Sequence, residues 1–334
     1  MLRVRIALTR SIHSSRRFYG SPNALPAVPT IAGPLDLIDV AEFRTKAFTP
    51  ENPLLITAGE RRSAGEADLS ACSIPAADKW FVSRASSSTG AGGEQGREVL
   101  LSQEYLAPFA DTILPYELIT PSAKDVGVGD NKQLSNILKH YIQDSEGTTF
   151  HRFSAPLSLL QLCSQAPSPR PALYIAQAQL IDLPLALRAD VPTPHLVLQA
   201  GKGDVYDANL WMGIPPTYTP LHKDPNPNLF LQLASQKRVR LFEPSNGAGI
   251  FRHVQKSIGR AGHGGAIRGN EMMEGLERRG LHDAVWGKGM DNDTSGGYET
   301  IVGPGDALFI PKGWWHSFIS VGNGMNGSAN WWFR

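Results

Sequence analysis

The chain has 334 residues, 41% of them hydrophobic and 19% charged, with 32 Lys and Arg against 31 Asp and Glu. That composition supports a real core and excludes wholesale disorder, while no apolar run approaches the ~18 residues that span a bilayer, so no membrane partner is expected. Two cysteines, Cys72 and Cys163, are too few for a disulfide scaffold or a four-thiolate metal site.

The first 34 residues hold Arg3, Arg5, Arg10, Arg16 and Arg17, several serines and no acid. An Arg- and Ser-rich, acid-free, amphipathic start reads as a mitochondrial transit peptide, which places the protein in the matrix, with nucleus or cytoplasm as the alternative. Taking five positive charges from a chain of net charge +1 leaves −4. A mildly acidic mature protein lacks a global footprint for nucleic acid. Pro22–Pro34 reads as a Pro/Ala spacer, so residues 1–34 form a transit peptide plus disordered spacer and folding is expected to start near Leu35.

Pro53–Thr57 reads as a short buried strand, Ser86–Gly96 as a Gly/Ser loop, and Gln133–Asp144 as a helix with apolar residues at Leu134, Ile137, Leu138 and Tyr141. Residues 35–172 are therefore taken as a mainly helical N-terminal part. From Tyr174 the texture changes to short β-like runs at Leu196–Gln199, Asn209–Gly213, Asn228–Leu233, Val239–Phe242, Ala307–Ile310 and Ser328–Phe333. Such runs between Pro/Gly turns predict a sandwich or jelly roll over residues 173–334. Between Ser245 and Thr300 lie thirteen glycines and few branched residues, which predicts a long inserted loop over 245–300.

Within the β region, Thr219-Pro220-Leu221-His222-Lys223-Asp224 carries the chemistry. His222 and Asp224, two apart on a strand, project from one face and can ligate one metal. The run Gly303-Pro304-Gly305-Asp306-Ala307-Leu308-Phe309-Ile310-Pro311-Lys312-Gly313-Trp314-Trp315-His316 reads as turn, buried strand and turn, with His316 opening the next strand. His316 follows Asp224 by 92 positions. Two imidazoles and one carboxylate on one octahedral face leave three positions open, the arrangement of non-haem Fe(II) oxygenases.

The string PGDALFIPKGWWH, together with the upstream His-x-Asp, resembles the signature of JmjC-type and cupin-like 2-oxoglutarate oxygenases. The resemblance spans roughly Leu35 to Arg334 and is sharp from Tyr174. It implies a mainly β fold with flanking helices, the double-stranded β-helix (jelly roll) of the cupin/JmjC type, over residues 35–334. It implies Fe(II) on His222, Asp224 and His316, with 2-oxoglutarate and O2 as co-reactants. Lys237, fifteen after His222, resembles the oxoglutarate-binding lysine, Thr219 the hydroxyl that shares its distal carboxylate, and Asn228 a further polar residue of that pocket. Tyr174 and Gln177 in Tyr174-Ile175-Ala176-Gln177, Trp211 in Asn209–Gly213, and Asn330 in Asn330-Trp331-Trp332-Phe333 resemble other pocket residues of the family. The implied activity is hydroxylation of a protein side chain; a modified-tRNA hydroxylase, a lysyl demethylase and a non-catalytic cupin-like binding or assembly module are the rival readings. RNA is the less favoured partner. With nothing beyond Arg334 in this sequence, a monomer is expected rather than a dimer built on C-terminal helices.

Overall fold

The structure is a computed structural model that describes residues 25–58, 74–89, 95–122, 125–142, 149–260, 273–287 and 296–334. The basic start over residues 1–24, including the presequence-like arginines, lies outside the described residues.

Two sheets face each other. The larger runs, in spatial order, β1 (Thr30–Ala32), β2 (Leu54–Thr57), β13 (Ala307–Ile310), β10 (Asn228–Ala234), β15 (Asn326–Phe333), β8 (Val205–Gly213), β7 (Ala172–Gln179), β5 (Ile113–Ile119) and β6 (Phe150–Pro156). The smaller runs β12 (Gly297–Val302), β11 (Gln236–Phe242), β14 (Trp315–Val321) and β9 (Tyr218–Lys223). A separate hairpin joins β3 (Phe81–Thr89) to β4 (Gln95–Leu101). Apart from the parallel β1–β2 pair, the strands of both sheets pair antiparallel, and strands distant in sequence lie side by side, as a jelly roll requires.

Side-chain alternation divides the interior into three layers. Leu229, Leu231, Leu210, Met212, Ala329, Trp331 and Phe333 point away from the small sheet, into a core shared with the flanking helices. Phe230, Leu308, Ile310, Val239, Leu241 and Phe318 fill one end of the space between the sheets. Leu221, Phe242 and Trp315, on the outer face of the small sheet, are covered by Phe251, Val254, Leu281 and Val285 from two helices. The remaining inward positions are polar: Asn209, Asn228, Gln232, Lys237, Asn326, Ser328 and Asn330 are all buried. Burial of polar groups between sheets favours hydrogen-bond partners, and the partnerships of Asn228, Lys237, Ser328 and Asn330 build the site.

Several expectations need correction. The described part of residues 245–300 is not a loop: helices Pro244–Ser257 and Gly275–Trp286 and strand β12 occupy it. The glycines there include close-packing positions. A Cβ on Gly247 would lie 2.1 Å from Cγ of Trp315, so only glycine lets that helix press onto the sheet. Leu196–Gln199 lies in a helix, His195–Gln199, because Pro194 opens the turn and its carbonyl accepts the Val197 N–H at 3.0 Å. A short apolar run does not separate a strand from one buried helical turn. Of the loop expected at Ser86–Gly96, the described residues 86–89 and 95–96 belong to the strands of the β3–β4 hairpin, with Thr89 opposite Gln95, and 90–94 lie outside the described residues. The structured chain begins before Leu35, since Val28 is buried and β1 pairs with β2. The segment 35–172 also adds β2, β5 and β6 to the large sheet, so it is not mainly helical. The helix expected at Gln133–Asp144 is present as Lys132–Tyr141, and the strand at Pro53–Thr57 as β2.

Candidate metal and cosubstrate site

β9 and β14 pair so that His222 lies directly opposite His316. Cross-strand partners share a face, and the two imidazole centroids are 4.1 Å apart. Asp224 follows at the end of β9. Its Oδ1 lies 3.8 Å from His222 Nε2 and its Oδ2 3.4 Å from His316 Nε2. The candidate donor atoms of the three side chains all lie within 4.8 Å of one another, and all three residues are buried.

The tautomers follow from the neighbours. His222 Nδ1 lies 2.8 Å from the Pro220 carbonyl and His316 Nδ1 3.1 Å from the Trp314 carbonyl. A carbonyl only accepts, so each Nδ1 carries the proton and each Nε2 turns a lone pair toward the carboxylate. Burial, then the adjacent His316, hold the His222 imidazole down to about 4, which keeps it neutral. Burial works to raise Asp224, yet its carboxyl is held below its ordinary range, and the N–H that Asn228 Nδ2 donates to Oδ2 favours the anion. Three converging acceptors in a dry site with no donor between them are what a divalent cation satisfies. The donor set fits Fe(II).

The same register places Thr219. Strict alternation would turn it to the opposite face from His222, three residues on. Between His316 and Phe318, however, β14 advances two residues while β9 advances three, from His222 to Thr219. This bulge at Pro220-Leu221 returns Thr219 to the inner face, and Pro220, which lacks an N–H, suits the irregular position.

Lys237 is 4% exposed, inward on β11 between the outward-facing Gln236 and Arg238. Its Nζ donates to the Tyr174 hydroxyl and to Ser328 Oγ, each at 3.0 Å. It also lies 5.3 Å from the Phe230 ring and 5.8 Å from the Phe318 ring. Among the described residues no carboxylate pairs with it. Burial alone pulls its pKa down to about 7. A buried ammonium facing hydroxyls and ring faces, without a counter-ion, is a seat for an anion.

One cavity of about 430 Å³ is bordered by His222, Asp224 and His316, by Lys237 and Thr219, and by Tyr174, Gln177, Trp211, Asn228 and Asn330. All ten residues singled out from the sequence therefore meet around one space. Gln177 sits where β7 bulges against β8 and adopts a left-handed conformation at φ 55°, exposed at the rim. Asn228 donates through Nδ2 to Asp224 Oδ2 at 2.8 Å, which commits its amide to the carboxylate.

Sequence reasoning missed Ser328, which accepts from Lys237, and the two phenylalanines that flank the ammonium. Inward parity with Asn330 on one strand was the available signal for Ser328. It also missed Gly213, directly opposite Tyr174 in the β7–β8 ladder. A Cβ there would lie 2.2 Å from the Tyr174 ring and 2.7 Å from the Leu173 carbonyl. Gly213→Ala is expected to displace Tyr174 from Lys237 and to destabilise the fold by about 1–3 kcal/mol, as overpacking does. Thermal unfolding together with 2-oxoglutarate titration checks this, and wild-type values in both would refute it.

A jelly roll that gathers a His-x-Asp pair and a distant histidine on its inner face defines the cupin class of proteins. A family model described as the cupin-like domain matches residues 124–334, and the chain belongs to that family. Among curated relatives, lysine-specific demethylase 8 of Danio rerio is 27% identical over 149 residues, which cover 44% of this chain and 33% of that protein. Lysine-specific demethylase JMJ30 of Arabidopsis thaliana is 26% identical over 187 residues, covering 56% and 38%. JmjC domain-containing protein D of Dictyostelium discoideum is 27% identical over 158 residues, covering 44% and 32%. The chain thus spans about a third of the length of these relatives.

Proposed function

We propose that this protein is an Fe(II)- and 2-oxoglutarate-dependent dioxygenase that hydroxylates a side chain of a protein substrate. The observation that carries this reading is the sharing of one cavity by a three-acceptor metal set and a buried, carboxylate-free lysine. His222, Asp224 and His316 would hold the metal, and Lys237 and Thr219 would receive the distal carboxylate of 2-oxoglutarate. When bound, iron and 2-oxoglutarate together supply the oxidising power to insert one oxygen atom of O2 into a substrate C–H bond, the other atom leaving in succinate alongside CO2.

The chain's own residues orient and exclude. Phe230 and Phe318 wall the cosubstrate end against water, and the Pro220 and Trp314 carbonyls lock both imidazoles in the ligating tautomer. Tyr174, whose phenol burial pushes up, stays protonated and accepts from Lys237 at the cavity wall. A separate cavity of about 180 Å³ meets the first at Tyr174, Gln177, Trp211 and Thr219, and gives a substrate side chain a way in.

The names of two relatives favour a second reading, removal of methyl groups from lysine, which begins with the same C–H oxidation. Purified protein loaded with Fe(II) is expected to release succinate from 2-oxoglutarate, and His222→Ala to release none. Mass spectrometry of proteins from cells with and without the gene separates the two readings, because hydroxylation adds about 16 Da whereas demethylation removes about 14 Da. Equal succinate release by wild type and His222→Ala would leave a non-catalytic binding module as the better description.

A further inference from the structure

Between the mouth of the cavity and the metal set runs a chain of three hydrogen bonds. Trp211 Nε1 donates to Asn330 Oδ1 at 2.7 Å, Asn330 Nδ2 to Asn228 Oδ1 at 3.2 Å, and Asn228 Nδ2 to Asp224 Oδ2 at 2.8 Å. From this we infer that Trp211 is a positioning residue for the metal carboxylate, acting through the two asparagines; the inference rests on the metal-binding reading above.

The sense of the chain follows from chemistry. An indole N–H can only donate and a carboxylate can only accept. Asn330 must therefore turn its oxygen to Trp211 and its NH2 to Asn228, and Asn228 must in turn present its NH2 to Asp224. Each amide has one orientation that satisfies both neighbours. Without the indole N–H, Asn330 loses one of the two bonds that fix it and is held only by the 3.2 Å bond from its Nδ2 to Asn228 Oδ1, so its flipped state is populated more. A flipped Asn330 sets its oxygen against the Asn228 oxygen, so Asn228 is driven to turn its own oxygen toward the Asp224 carboxylate, where acceptor meets acceptor. Both asparagines are buried, which leaves little water to repair the mismatch.

The backbone supports the same conclusion. Asn228 on β10, Asn330 on β15 and Trp211 on β8 lie on three adjacent strands and all project inward. The relay thus ties Asp224, which lies beyond the regular ladder of β9, to the rigid middle of the large sheet. Asp224 Oδ2 takes the Asn228 bond, which fixes rotation about its terminal torsion and aims Oδ1 toward His222. Trp211 is the member that borders both cavities.

The test uses Co(II) as the probe, with the purified full chain. Affinity comes from calorimetric titration, ligand geometry from the visible absorption of the Co(II) protein, and integrity of the fold from apo-protein thermal unfolding. Outer hydrogen-bond partners of metal ligands typically contribute about 10- to 100-fold in metal affinity. Asn228→Ala is expected to weaken Co(II) binding toward the upper end of that range. Trp211→Phe, which keeps a ring and removes only the N–H, is expected to weaken it about tenfold and to shift the Co(II) bands. A purely structural tryptophan would move apo stability and leave the spectrum of the bound metal unchanged. Should Trp211→Phe not fold, Asn330→Ala breaks the same chain one link further in. Wild-type affinity and an unaltered spectrum in Trp211→Phe or Asn330→Ala would overturn the relay while the metal site stands. A folded wild type that takes up no Co(II) would overturn the metal-binding reading and the relay with it.

Discussion

Lys237→Met is expected to weaken 2-oxoglutarate binding by roughly 30- to 150-fold, about 2–3 kcal/mol, while the apo-protein becomes more stable. The two effects have opposite signs for one reason. In the apo fold the ammonium is desolvated, held only by the Tyr174 hydroxyl and Ser328 Oγ, and opposed by no carboxylate among the described residues. Methionine of similar length removes that desolvation penalty and keeps contact with Phe230 and Phe318. With 2-oxoglutarate bound, the same ammonium gains the counter-ion it lacks. The pH dependence follows from the same shift. Burial pulls Lys237 down to about 7 from an ordinary value of 10.5. Between those values the unfolded chain holds a proton that the folded chain has released, so the free energy of unfolding rises with pH across this window. The penalty is fully present below pH 7 and gone above about 10.5. Urea unfolding at pH 7 and pH 9.5 is expected to show wild type gaining stability from this site and Lys237→Met showing no such gain. Affinity for 2-oxoglutarate should fall as pH rises above 7, because the anion then has to bring in a proton with it. Equal 2-oxoglutarate affinity in the two proteins would remove Lys237 from the cosubstrate seat.

The parts of the site that depend on strand alternation were legible in the sequence. His222 and Asp224 share a face because they are two apart, and Ala307–Ile310, found at its expected bounds, delivers the chain to the turn before His316. Lys237 was legible through family likeness, by its distance from His222; the structure adds the alternation within Gln236–Phe242 that turns it inward between Gln236 and Arg238. Thr219 was legible only through family likeness, because its inward side depends on a bulge at Pro220-Leu221 that alternation does not foresee. The helices of 244–286 were hidden by glycines that permit close approach to the sheet, at Gly247 above all, and so resemble the glycines of a loop. Asn228 and Asn330 could be placed at the cavity, but the direction of their amides is a tertiary fact. It depends on an indole donor from a third strand, Trp211, and on a carboxylate acceptor just past the end of a fourth, Asp224.

Asp224→Asn is expected to abolish metal binding and turnover and to leave the apo fold as stable as wild type or more so. The wild-type apo site holds three mutually facing acceptors, two imidazole lone pairs and the Oδ1 side of a carboxylate, with no donor between them. A carboxamide in place of the carboxylate keeps an oxygen where Oδ2 accepts from Asn228, and places an NH2 where Oδ1 stands 3.8 Å from His222 Nε2. A small shift turns that contact into a donated hydrogen bond, so the substitution satisfies in the apo state what the cation satisfies in the loaded one. Metal, in contrast, needs the anionic oxygen. Excess Co(II) or Mn(II) should raise the wild-type melting temperature by roughly 4–5 °C at a concentration near 100 times Kd, since about 2.7 kcal/mol of binding energy is then linked to folding. Asp224→Asn, His222→Ala and His316→Ala should show no such rise, and succinate release should fall to background in all three. The histidine variants differ from Asp224→Asn in the apo state, because each opens a void beside a buried carboxylate and loses stability. A metal-induced rise of wild-type size in Asp224→Asn would mean that the cation is held elsewhere, and the cavity bordered by Lys237 would then need another explanation for its unpaired charge.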